Sequence, residues 1–135
     1  MKKITLVCLI LCLSVFLLTA CTSMSTYLDR LDNVDPLNGS YTEEDFNKED
    51  IMTEYALNAD DYGFIEGEKV INKKMGTNAV IIACLSESGA KDFVNDVAGV
   101  VETLNVDASK PVKAINDGRF VLIGHESAIN DLLGK

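Results

Sequence analysis

The sequence predicts an α+β domain: a mainly antiparallel sheet of about four strands, one long amphipathic helix packed on it, and shorter terminal helices. Three observations carry this. The run Ala79-Val80-Ile81-Ile82-Ala83-Cys84-Leu85 is apolar without alternation, which predicts a central strand covered on both faces. Ala90, Phe93, Val94, Val97, Ala98, Val101 and Leu104 recur at helical spacing, and Lys91, Asp92, Asn95, Asp96 and Glu102 fill most of the opposite side. Asn116-Asp117-Gly118 lies between two apolar runs and predicts a hairpin, because a tight turn needs a residue at positive φ.

Taken in order, Thr42 followed by Glu43, Glu44 and Asp45 predicts a helix start, with Thr42 as cap and acids suiting the helix dipole. Phe46, Ile51 and Tyr55 then form its apolar face to about Leu57, and Asn58-Ala59-Asp60-Asp61 is turn chemistry. Phe64 to Asn72 is a strand weakened by Gly67, and Met75-Gly76-Thr77-Asn78 a turn before the central strand. Ser86 or Ser88 caps the long helix, which Asn105 stops. Strands over Pro111–Ile115 and Arg119–Gly124 flank the hairpin turn, and Ser127–Leu133 closes the chain as a short helix. These elements bound a single domain at 42–135.

Residues 21–41 are rich in Ser, Thr, Asp and Asn, with Pro36 and Gly39 among them. They are expected to form an acidic tether, about 60–70 Å long when fully stretched, with one short helical turn at Tyr27, Leu31 and Val34. Asp29, Asp32 and Asp35, with Asn33 and Asn38, invite a calcium reading. An EF-hand loop needs glycine at its sixth position, whereas counting from Asn33 places Gly39 seventh. A solvated tether is preferred, and neither a metal nor a cofactor is expected.

At the start of the chain, Lys2 and Lys3 precede a stretch from Ile4 to Leu18 that holds no charge. This is the pattern of a secretory signal over residues 1–20, and is too short for a spanning helix. Leu18-Thr19-Ala20-Cys21 resembles the lipobox of bacterial lipoproteins. The resemblance implies cleavage ahead of Cys21 and a diacylglyceryl group on its sulfur. The protein is then expected on the extracytoplasmic face of a cell membrane, held by the lipid on Cys21. Two acyl chains bury methylenes at about 0.8 kcal/mol each, which suffices for stable attachment.

The formal net charge is −9, and every acidic residue follows Cys21. That excludes the basic footprint of a nucleic-acid binder, and it opposes docking on anionic lipid by side chains. The lipid must do the holding. Beyond the leader and Cys21, Cys84 is the only cysteine, so the domain has no internal disulfide.

From about Glu43 to Leu133 the chain resembles a family of small bacterial lipoproteins known as domain of unknown function 4358. The residues that carry the resemblance are Tyr55 with Asn58-Ala59-Asp60-Asp61-Tyr62, Asn78-Ala79-Val80-Ile81-Ile82, the long helix, and Gly118-Arg119-Phe120-Val121-Leu122. It implies a Gram-positive type of envelope and assigns no catalytic residue.

Cys84 and His125 are the remaining candidates for chemistry, since a cysteine–histidine pair can serve nucleophilic catalysis where the two meet. A cysteine in an apolar strand is more often a small buried hydrophobe, and no third residue in recognisable context orients the pair. The expected function is therefore a membrane-anchored binding or assembly module without catalysis, with a protein or small-molecule partner. The alternatives are a cell-envelope enzyme or enzyme accessory using Cys84 and His125, and a surface structural module.

Overall fold

The computed structural model describes residues 23–135, so the leader and Cys21 lie outside the described residues. The α-helices are α1 (Met24–Leu31), α2 (Lys48–Tyr55), α3 (Glu87–Leu104) and α4 (Glu126–Leu133). The strands are β1 (Tyr41–Asp45), β2 (Phe64–Asn72), β3 (Thr77–Cys84), β4 (Val112–Asp117) and β5 (Phe120–His125). Short 3₁₀ turns occupy Pro36–Asn38 and Ala59–Tyr62. The strands form one sheet in the order β1-β2-β3-β5-β4, antiparallel at every pairing. The fold is α+β, with five strands rather than about four.

β3 lies at the centre of the sheet, as its unbroken apolar run predicts. Its side chains alternate between two separate cores. Val80, Ile82 and Cys84 join Val121 and Ile123 of β5 under α2 and α3, together with Phe93 and Val97. Ala79, Ile81 and Ala83 join Phe120 and Leu122 under α1 and α4, with Tyr27, Ala128 and Leu132. Helices thus cover both faces. Ser86 caps α3 by accepting from the Gly89 N–H at 3.1 Å, and Asn105 ends the helix. Ala90, Phe93 and Val97 are buried and Val100 and Val101 pack against the same core, whereas Ala98 and Leu104 are exposed.

Two expectations are corrected. The acidic stretch Thr42–Asp45 is not a helix start but most of β1, paired with β2 from Tyr41↔Asn72 to Asp45↔Glu68. The helix begins at Lys48 because Asn47 is the better cap. Its side chain accepts from the Glu49 and Asp50 N–H groups at 2.9 and 3.1 Å, and Asp50 accepts from the Asn47 N–H at 2.8 Å. Gly67 belongs to the same crossing. The Phe46 N–H donates to the Gly67 carbonyl at 3.1 Å, and a side chain at Gly67 would collide with the Phe46 carbonyl oxygen.

The second correction concerns the tether. Within 23–41, α1 packs onto the sheet, with Tyr27 at 0% exposure, so the folded unit begins near Ser23 and not at 42. Tyr27 stacks edge-on against Phe120 at 5.0 Å and donates its hydroxyl proton to Asp117 at 2.7 Å. Of the residues weighed for calcium, Asp32 is the C-cap of α1, and Asp35 caps the following 3₁₀ turn by accepting from the Leu37 N–H at 2.9 Å. The Asn38 carbonyl accepts from the side chain of buried Asn72 at 2.9 Å.

The hairpin between β2 and β3 forms, with a bulge between Phe64 and Glu66. The β4–β5 turn is Gly118-Arg119, one residue later than the sequence predicts, with Gly118 at φ 58°. Glycine at the first loop position suits a type II′ hairpin.

Candidate functional site

Each end of the central strands presents one of the two chemical candidates. His125 terminates β5 beside Asn78, whose N–H donates to His125 Nδ1 at 3.0 Å. The same Nδ1 lies 3.3 Å from the Asn78 carbonyl oxygen, so the ring is held against the Asn78 backbone through this one nitrogen. Cys84 terminates β3 at the other end. Its N–H donates to the Arg119 carbonyl at 2.9 Å, and Arg119 Nη1 donates to the Cys84 carbonyl at 3.2 Å. Burial pushes the Cys84 thiol up, with Arg119 opposing, so the thiol is held in its unreactive form. Six residue steps along β3 separate Asn78 from Cys84, about 20 Å at strand rise. Cys84 and His125 therefore do not meet as a pair.

His125 instead borders a cleft of about 240 Å³ on the α2–α3 side of the sheet. Its polar wall is Glu54 and Tyr55 at the end of α2, Lys69 of β2, Asn78 of β3 and His125 of β5. Val80, Ile123, Val112 and Leu104 complete its lining with apolar surface, Val80 lying directly beside Lys69 in the sheet. The cleft lies between the end of α2 at Tyr55 and the end of α3 at Leu104. Lys69 Nζ and Glu54 Oε1 lie 3.2 Å apart, which places both signs of charge on one rim.

Tyr55 is the telling residue of this cleft. It is 4% exposed, and its ring packs against Phe46 and Phe93 at 6.0 and 6.1 Å. Tyr27, Tyr41 and Tyr62 each donate a hydroxyl proton to an aspartate, Asp117, Asp131 and Asp96, at 2.6–2.7 Å. The Tyr55 hydroxyl has no hydrogen-bond partner among the described residues, and yet no fully buried side-chain oxygen there is left unsatisfied. The hydroxyl therefore opens on the cleft, where solvent or a ligand completes it. Burial, and then the nearby Glu54 carboxylate, raises its pKa, so it is a protonated donor at neutral pH.

A larger hollow of about 400 Å³ lies at the same end of the molecule, lined by exposed Met75, Ser109, Lys110 and Ser127 among others. Its open polar side chains are already solvated. Among the described residues no group of His, Cys, Asp and Glu is arranged to hold a metal ion, and no helix is long and apolar enough to cross a membrane.

Of the sequence candidates, only His125 lines the cleft. Tyr55 is read from the sequence merely as part of an apolar helix face, and Glu54, Lys69 and Asn78 are not singled out by it. Nothing in a linear pattern brings Lys69 to Glu54 across α2 and β2. The chain matches no protein-family model, no curated protein and no solved structure.

Proposed function

We propose that the chain is a lipid-anchored extracytoplasmic binding module that acts without catalysis, and that it binds a small molecule in the Tyr55–His125 cleft. The observation that carries the binding site is the hydroxyl of almost fully buried Tyr55, which has no partner among the described residues and borders a partly enclosed cavity. The Lys69–Glu54 rim offers a cation and an anion side by side. The Tyr55 hydroxyl adds a donor, the His125 imidazole adds a polar ring, and Val80, Leu104, Val112 and Ile123 add apolar surface. Such a lining suits a zwitterionic molecule of amino-acid size with an apolar portion. The volume, about 240 Å³, falls below the roughly 300–1,000 Å³ of pockets for drug-sized ligands, so only a small ligand fits.

The membrane address rests on Leu18-Thr19-Ala20-Cys21 after an apolar leader. Mass analysis of the amino-terminal peptide from native membranes should find a diacylglyceryl group on Cys21, and Cys21→Ser should release or strand the protein. An unmodified Cys21 in membrane-bound protein would end this part of the proposal.

The cleft is tested separately on protein lacking the leader. Free L-amino acids at millimolar concentration should shift the amide resonances of Tyr55, Asn78, Leu104 and His125, and Tyr55→Phe should weaken the response. An unmoved spectrum across the whole amino-acid panel rejects the ligand class.

A further inference from the structure

We infer that the domain lies directly on the membrane, with the Leu85 end of its sheet against the lipid and the Tyr55–His125 cleft facing outward. This rests on lipidation of Cys21, proposed above, and adds an orientation that lipidation alone does not give.

Only Thr22 separates Cys21 from Ser23, the N-cap of α1. The two Cα steps from Cys21 to Ser23 span no more than about 7 Å. A lipid on Cys21 is thus held against the start of α1, and α1 is fixed to the domain. Tyr27 is bonded to Asp117 and packed on Phe120, and Arg30 Nη1 donates to the Leu132 carbonyl at 3.0 Å. There is no long tether to let the domain tumble.

The direction of α1 then decides which end faces the membrane. Tyr27 sits at the Asp117–Phe120 end of the sheet. After α1, the chain reaches the opposite end, where the Leu37 carbonyl meets Lys74 and the Asn38 carbonyl meets Asn72. α1 therefore runs away from the Asp117–Phe120 end, and its N-terminus, with the attachment point, lies there. By the strand register, Phe64 and Cys84 also end at this side, and the Leu85 N–H donates to the Gly63 carbonyl at 2.8 Å just beyond them.

The same end carries two protruding apolar side chains. Leu85 is 75% exposed, and Ile65, within the β2 bulge, is 49% exposed. Arg119 adds a cation there, with its guanidinium 4.6 Å over the Phe120 ring. Of the nearby carboxylates, Asp117 is bonded to Tyr27 and Glu87 is paired with Lys91 at 3.2 Å, while Asp61 and Glu66 stand exposed beside Gly63 and Ile65. A bilayer is the occupant that fits. The anchor brings this end to the lipid, and Leu85 and Ile65 can enter the interface there, with attachment supplied by the acyl chains and not by charge.

The test uses the full lipidated chain in vesicles of phosphatidylglycerol and phosphatidylethanolamine. Cys84→Ala removes the native thiol, and a fluorophore is attached at Leu85→Cys or, at the opposite end, at Met75→Cys. Nitroxide-bearing lipids should quench the label at position 85 several-fold more than the label at 75. Equal quenching, or stronger quenching at 75, overturns the orientation. Energy transfer between copies labelled at position 85, without lipid quenching, assigns this end to a second copy and overturns it too. The mass of Cys21 in the same sample separates the failures. With lipid present and position 85 unquenched, only the orientation falls; with lipid absent, the anchoring proposal falls and takes the orientation with it.

Discussion

Tyr27 and Tyr55 are both buried aromatic residues, but their hydroxyls do different work. Tyr27 gives its proton to Asp117, and loss of that bond leaves a carboxylate short of a donor. A net contribution of about 0.5–1.5 kcal/mol is expected for such a bond. Tyr27→Phe should therefore lower the unfolding free energy by about that amount. Tyr55→Phe removes a hydroxyl with no protein partner among the described residues and should leave stability unchanged or slightly raised. Urea denaturation of the two variants checks the contrast. Equal losses would mean that the Tyr55 hydroxyl is satisfied within the fold, and would remove the main support for the cleft.

At the scale of elements, the β1–β2 edge accumulates negative charge. Asp45 stands directly opposite Glu68, and burial, with Glu43, Asp45 and Glu66 nearby, holds the Glu68 carboxyl above its ordinary value. A short, acidic edge strand discourages pairing with another chain, at some cost to this one. The native state holds the Glu68 proton more tightly than the unfolded chain does. Its contribution is thus most favourable when Glu68 is protonated and is lost as pH rises through its folded pKa. Glu68→Gln should raise stability at neutral pH by about 0.2–1 kcal/mol, the scale of a like-charge pair facing across two strands. The advantage should shrink as the pH falls into the carboxylate range. Chemical denaturation at neutral and acid pH reads both, and an advantage that grows on acidification contradicts the assignment.

For the whole molecule, the packing of α1 changes what counts as the domain. A fragment starting at residue 42 loses Tyr27 and Leu31 and uncovers Phe120, Leu122 and Leu132 beneath them. Full burial of a large apolar side chain is worth roughly 1.5–3 kcal/mol, so losing two removes on the order of 3–6 kcal/mol. That is a large share of the roughly 5–15 kcal/mol that holds a typical domain. Residues 42–135 should accordingly unfold at a much lower denaturant concentration than 23–135, or lose cooperativity. Matching transitions would show that α1 rests on the sheet without supporting it.

The sequence by itself determined the features whose signal lies within one contiguous window. The unbroken apolar run of β3 required cover on both faces, the stripe of α3 required a sheet, and Asp117-Gly118 required a tight turn close to where one is found. The α+β class follows from these, because each element can bury its apolar side only against another. Tertiary structure alone decided the remainder. Thr42–Asp45 carries helix-start residues, but pairing with β2 satisfies its backbone, and Asn47 takes over the cap. Tyr27 and Leu31 lie among polar residues and look like a tether until a sheet face is present to receive them. The separation of Cys84 from His125 depends on strand direction, and the meeting of Glu54, Tyr55, Lys69 and His125 depends on how α2, β2 and β5 stack. These are contacts between residues distant in sequence, and a local pattern holds no term for the energy they exchange.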